Sequence, residues 1–106
     1  MKRGDLVTIA VSGDYGKPRP ALVIQSDAFD RHPSVVVLPL TGEIHDTPLF
    51  RITVAPGVLT GLRMTSQIMV DKATTVPRAK LGSIIGTVDS ATLEAVNEAM
   101  RGFLAL

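Results

Sequence analysis

Cysteine and tryptophan are both absent from this 106-residue chain. Without thiols there is neither a disulfide framework nor a thiolate metal site, and the cytosol is the expected compartment. Aromatic residues are scarce: one tyrosine, Tyr15, and three phenylalanines, Phe29, Phe50 and Phe103. So few rings exclude a broad base-stacking platform and the aromatic-lined groove that proline-rich peptides require. Charge of one sign is lacking too, with 11 basic against 10 acidic residues and a net charge of +1. That is far from the basic excess of a stable duplex-DNA binder. Any nucleic acid must be held by a few cations gathered in one groove. No apolar run approaches the roughly 18 residues of a membrane span. The N-terminus is charged within its first residues and has no apolar stretch behind it, so no secretory signal is expected.

What is present describes a folded chain. A hydrophobic content of 45% suits one domain, residues 1–106, with a modest core. Residues 5–11 (DLVTIAV) alternate, with Val7, Ile9 and Val11 on one face, and read as a strand. Residues 19–25 (RPALVIQ) and 34–40 (SVVVLPL) are nearly continuous apolar runs, as in central strands buried on both faces. Residues 49–54 alternate again, and 63–70 (RMTSQIMV) set Met64, Ser66, Ile68 and Val70 opposite Arg63, Thr65, Gln67 and Met69. One helical turn over 77–81 and a last strand over 84–88 follow. Asp89 or Ser90 then caps a helix to Leu104, its apolar stripe formed by Leu93, Val96, Met100, Phe103 and Leu104. About six short, mostly antiparallel strands with one C-terminal helix make a small barrel or strongly curved sheet of α+β class.

Most familiar chemistry finds no support. There is no phosphate-cradling glycine loop, and Gly57 and Gly61 read as turn residues. His32 and His45 lie in separate loops without an acidic pair, as solvated histidines rather than metal ligands. Ser66 has no histidine at a hydrolase spacing. What remains is a set of strand ends. Arg19 opens the second strand between Pro18 and Pro20, which restrict its backbone and present its guanidinium in a narrow cone. That planar fork suits bidentate phosphate contact. Asp14, Tyr15 and Lys17 share the preceding loop, and Thr41 closes the third strand just after Pro39. From composition alone, the favoured reading of Arg19 is an ion pair pinning a loop, and that of Thr41 an ordinary turn residue.

Four blocks carry a resemblance over nearly the whole length: RGDLVTIAV at the start, KPRPALVI, VVVLPLTGE, and the long stretch GLRMTSQIMVDKATTVPRAKLGSIIGTVD. Together they are similar to the MazF/PemK (Kid) family, toxin endoribonucleases of type II toxin–antitoxin systems. The resemblance implies an SH3-like barrel with a terminal helix, a homodimer, and metal-independent, sequence-specific cleavage of single-stranded RNA without a cofactor. It implies an essential arginine at Arg19 and an essential threonine at Thr41. It also implies an acidic loop residue at Asp14, five positions ahead of the arginine, and an acidic residue at Asp71 that serves some members as base. Lys17, Tyr15 and Ser66 are the expected additional RNA contacts. Pro18 stands where several members carry histidine, and Met69 where some carry a second catalytic arginine.

With neither metal nor histidine, cleavage would use the substrate's own 2′-hydroxyl. It would leave a 2′,3′-cyclic phosphate and a 5′-hydroxyl, with Arg19 and Thr41 on the phosphate and Asp14 or Asp71 as base. An acidic, disordered antitoxin tail would occlude the same groove. The competing reading is a CcdB-type gyrase poison acting through its C-terminal helix. That class typically ends in a tryptophan-containing tail and lacks the KPRPALVI block, whereas this chain ends GFLAL.

Overall fold

The computed structural model describes residues 1–10 and 17–106. Its strands are β1 (Asp5–Ala10), β2 (Pro18–Val23), β3 (Ser34–Thr41), β4 (Arg51–Val54), β5 (Ser66–Met69), β6 (Thr74–Pro77) and β7 (Leu81–Thr87), followed by helix α1 (Ser90–Leu104). They form one antiparallel sheet in the order β4-β5-β3-β2-β1-β7, with β6 also paired to β3. Among the described residues β4 and β7 do not pair, so the sheet is strongly curved but not closed.

The two apolar runs are the middle of this sheet, and strand alternation divides them between two cores. Leu6, Leu22, Leu38 and Leu40 face one side, where Val96 and Ala99 of α1 cover them. Val7, Ile9, Ala21, Val23, Val35 and Val37 face the other, where Val76 of β6 and Leu81 of β7 complete the packing. A helix therefore seals one face, and the curl of the sheet seals the other. That is why residues 21–23 and 35–40 read as apolar without a polar face.

β6 is the strand the apolar pattern does not announce. Thr74–Pro77 is short and mostly exposed, and its proline suits an edge. It continues β5 along the same side of β3. Leu40 faces Ile68 and Val37 faces Thr74, so the 3-residue 3-10 turn Val70–Lys72 is looped out between the two pairings. Pro39 falls in that gap, where its missing N–H interrupts neither pair. The helical turn expected over 77–81 is a 3-10 turn at Arg78–Lys80, and β7 begins directly after it, earlier than expected.

Helix α1 starts as its sequence indicates: the Asp89 carboxylate accepts the Thr92 N–H at 2.7 Å. Its stripe is narrower than expected. Val96 and Ala99 are buried and Leu93 and Met100 lean on the core, but Phe103 and Leu104 are 51% and 50% exposed. The Phe103 ring sits 6.0 Å from that of Phe50, on the flank of the fold.

Candidate active site

Arg19 is the second residue of β2, between Pro18 opposite Ala10 and Pro20 opposite Thr8. The strand climbs from an exposed Arg19 into the fully buried Ala21 and Leu22, so its guanidinium lies at the rim of the core. Arg19 is not without a partner in the protein. Thr41 is the last residue of β3, opposite Gln67. Its Oγ accepts the Glu43 N–H at 3.1 Å, a threonine turn that leaves the hydroxyl proton to donate elsewhere. β2 and β3 pair with Ala21 opposite Pro39, and carrying that register on along both strands sets Arg19 across from Thr41. The two strand ends singled out in the sequence are therefore neighbours.

They form a ridge between two open cavities. One, of about 390 Å³, is walled by Pro39, Leu40 and Met69, with Lys72 and Thr74 at its polar side. The other, of about 510 Å³, runs over Thr8, Gly61, Arg63, Met64 and Ser66. Arg19, Leu40 and Thr41 line both. Among the described residues the lining holds three cations, Arg19, Arg63 and Lys72, and no carboxylate. A chain of almost balanced charge thus concentrates positive charge where an anion would sit.

The other expected residues scatter. Lys17 is exposed ahead of β2 and belongs to neither lining. Ser66 lines the larger cavity, but its hydroxyl donates to the Met64 carbonyl at 3.0 Å. Asp71 lines neither cavity. Its carboxylate takes a two-pronged contact from Arg51, Nε at 2.9 Å and an Nη at 3.2 Å. The two side chains are only 18% and 12% exposed. Hydrogen bonding from Arg51 holds the Asp71 carboxyl below the usual carboxylate range, against an opposing push from burial. Asp14 and Tyr15 lie outside the described residues.

Lys72, Arg63 and Gln67 are the site residues that the strand pattern missed. Lys72 sits on the looped-out turn, so no periodicity points it at the groove. By sequence alternation Gln67 shares its strand face with Arg63, Thr65 and Met69, yet it is 3% exposed. Its Oε1 accepts the His45 N–H at 3.0 Å, and its Nε2 donates to the His45 carbonyl at 2.8 Å and to Thr53 Oγ1 at 3.2 Å. One side chain thereby ties the loop after Thr41 to the sheet. A glutamine among strand residues, opposite the candidate threonine, was the available signal.

Comparisons with known proteins span nearly the whole chain. A family model described as PemK-like, MazF-like toxin of type II toxin-antitoxin system matches residues 2–104. The probable endoribonuclease MazF of Mycolicibacterium smegmatis is 44% identical over 107 residues, spanning 100% of this chain and 98% of that protein. Endoribonuclease EndoA of Bacillus subtilis is 29% identical over 111 residues, spanning 100% and 96%. Among solved structures, a mycobacterial endoribonuclease in complex with its cognate antitoxin superposes with a TM-score of 0.82 at 27% identity, covering 100% of this chain and 96% of that one.

Proposed function

The chain belongs to the PemK-like, MazF-like family of type II toxins, and from that membership we propose that it is an endoribonuclease cutting single-stranded RNA across the Arg19–Thr41 ridge. The observation that carries the reading is that Arg19 and Thr41 both line two adjoining cavities, each roomy enough for a nucleobase, with three cations and no acid in the described lining. A phosphate on the ridge, with a nucleoside on either side, matches that layout in charge and in shape.

In the reaction the 2′-hydroxyl attacks its own 3′-phosphate, the P–O5′ bond breaks, and the products carry a 2′,3′-cyclic phosphate and a 5′-hydroxyl. Arg19 neutralises the non-bridging oxygens and donates toward the leaving O5′, which takes its proton from solvent; Thr41 adds a neutral donor. A carboxylate takes the 2′-hydroxyl proton. Asp14 is the better candidate, because Asp71 is committed to Arg51 and its lowered pKa makes it a weak base. Asp71 then serves to hold the turn that presents Lys72. The reaction as proposed draws on these side chains alone and uses no divalent ion. The working unit is a homodimer in the cytosol, its target is messenger RNA, and its inhibitor is an acidic antitoxin segment that competes for Arg19. The gyrase-binding alternative draws only on the second half of the chain, whereas the family match includes the Arg19 block.

The test is incubation of a long single-stranded RNA in EDTA with the wild type and with Arg19→Ala. Discrete cuts bearing 5′-hydroxyl ends are expected, slowed about 10²–10³-fold in the variant as for loss of a charge-stabilising donor. Intact RNA with folded wild type, or ends bearing 5′-phosphate, would overturn the reading.

A further inference from the structure

The smaller cavity opens directly beside the ridge, so whatever it holds is the nucleotide next to the cleaved phosphate. Granting the ribonuclease reading, we propose that this cavity is a base pocket in which Lys72 selects a base with a keto oxygen at purine C6 or pyrimidine C4, guanine or uracil, over adenine or cytosine, which carry an amino group there.

The walls are apolar. Pro39, Leu40 and Met69 offer a surface for the face of a ring, and a methionine thioether packs well on aromatic systems. The polar side is one-sided in its chemistry. The Lys72 ammonium can only donate, the Thr74 hydroxyl adapts, and no carboxylate or amide stands among the described lining residues. Guanine presents O6 and N7, and uracil O4, to such a donor; the amino groups of adenine and cytosine would meet it donor to donor.

The backbone that carries Lys72 is also held in place, which limits where its ammonium can reach. Val70, two residues before it, is buried at 2% exposure and its N–H donates to the Phe50 carbonyl at 3.0 Å. Asp71 is gripped by Arg51, and Thr74 is already paired with Val37. The backbone carrying the ammonium is therefore anchored on both sides, unlike that of a cation on a free loop.

The experiment is cleavage of a randomised RNA pool by the wild type, Lys72→Glu, Lys72→Gln and a control, Lys80→Glu, whose residue lies outside both cavities. The wild type should prefer guanine or uracil at one of the two positions flanking the cut, and the base found says which. Lys72→Glu, now an acceptor, should move that position toward adenine or cytosine, with relative rates changing about 10-fold or more. Lys72→Gln should relax the preference, and Lys80→Glu should leave it alone. If Lys72→Glu slows all sites equally, the lysine serves only phosphate charge and the pocket is wrong. An adenine or cytosine on both sides of the wild-type cut overturns it as well. A wild type that cuts nothing removes both this inference and the ribonuclease reading beneath it.

Discussion

Replacing Gln67 with leucine keeps most of the side-chain volume and removes all three hydrogen bonds to His45 and Thr53. Each such bond contributes a net of about 0.5–1.5 kcal/mol, so the gross loss is about 3 kcal/mol. His45 is exposed, and water can recover part of what its backbone loses. A net cost of about 2 kcal/mol remains, which lowers the melting temperature of a domain this size by about 10 °C. Thr53→Val removes only one of the three bonds and suits a strand, so it should cost about 1 kcal/mol, or about 5 °C. Thermal unfolding by circular dichroism at one fixed protein concentration measures both. Cleavage should also drop in Gln67→Leu at temperatures where the protein is folded, because the loop leaving Thr41 loses its tie to the sheet. A Gln67→Leu melting point at or above that of Thr53→Val would refute the view that this amide anchors the loop.

Three further outcomes follow from the same geometry. Thr41→Val should slow RNA cleavage about 10²-fold while leaving the melting temperature nearly unchanged, since the Glu43 N–H it releases is exposed; unimpaired cleavage would remove the hydroxyl from the mechanism. Asp71→Asn should cost about 2 kcal/mol in urea unfolding at neutral pH by breaking a charged, two-pronged contact. Because the folded Asp71 carboxyl lies below its unfolded value of about 3.9, its contribution is present above about pH 4 and fades as pH falls through the folded value; a stability difference that does not shrink as the pH is lowered below about 4 would contradict this. Gly61→Ala should destabilise by more than about 2 kcal/mol, since Gly61 has φ +71° and an added Cβ would lie 2.0 Å from the Ile85 carbonyl oxygen. Gly57→Ala, with φ +153° and nothing near the added Cβ, isolates the steric part, and equal costs for the two would show that the clash is relieved.

The features legible along the chain were those that local pattern controls. Apolar runs longer than any alternating face marked β2 and β3 as central, since only a strand covered on both sides can bury Val35, Val37, Leu38 and Leu40 together. The Asp89 cap and the Val96–Met100 stretch marked the helix, because capping and 3.6-residue periodicity act over a few residues. Arg19 stood out because two prolines confine it, and that confinement is covalent. β6 and the edges of β5 were not legible: an edge strand of Thr-Thr-Val-Pro carries no pattern distinct from a loop, and its strand character comes only from pairing with β3.

The site divides in the same way. The cationic and hydroxyl side chains of the proposed site, and the strand ends that bear Arg19 and Thr41, were set by the sequence alone. That the two stand across from one another depends on the register of β2 on β3, a non-local choice made when Leu22, Leu38 and Leu40 turn to the helix-covered core and Val23, Val35 and Val37 to the other. The placing of Lys72 beside them, and the removal of Asp71 to Arg51, depend on three residues looped out between β5 and β6. No stretch of sequence encodes that loop by itself. It exists because β3 offers two separate pairing segments, and only the folded sheet can bring β5 and β6 to both of them.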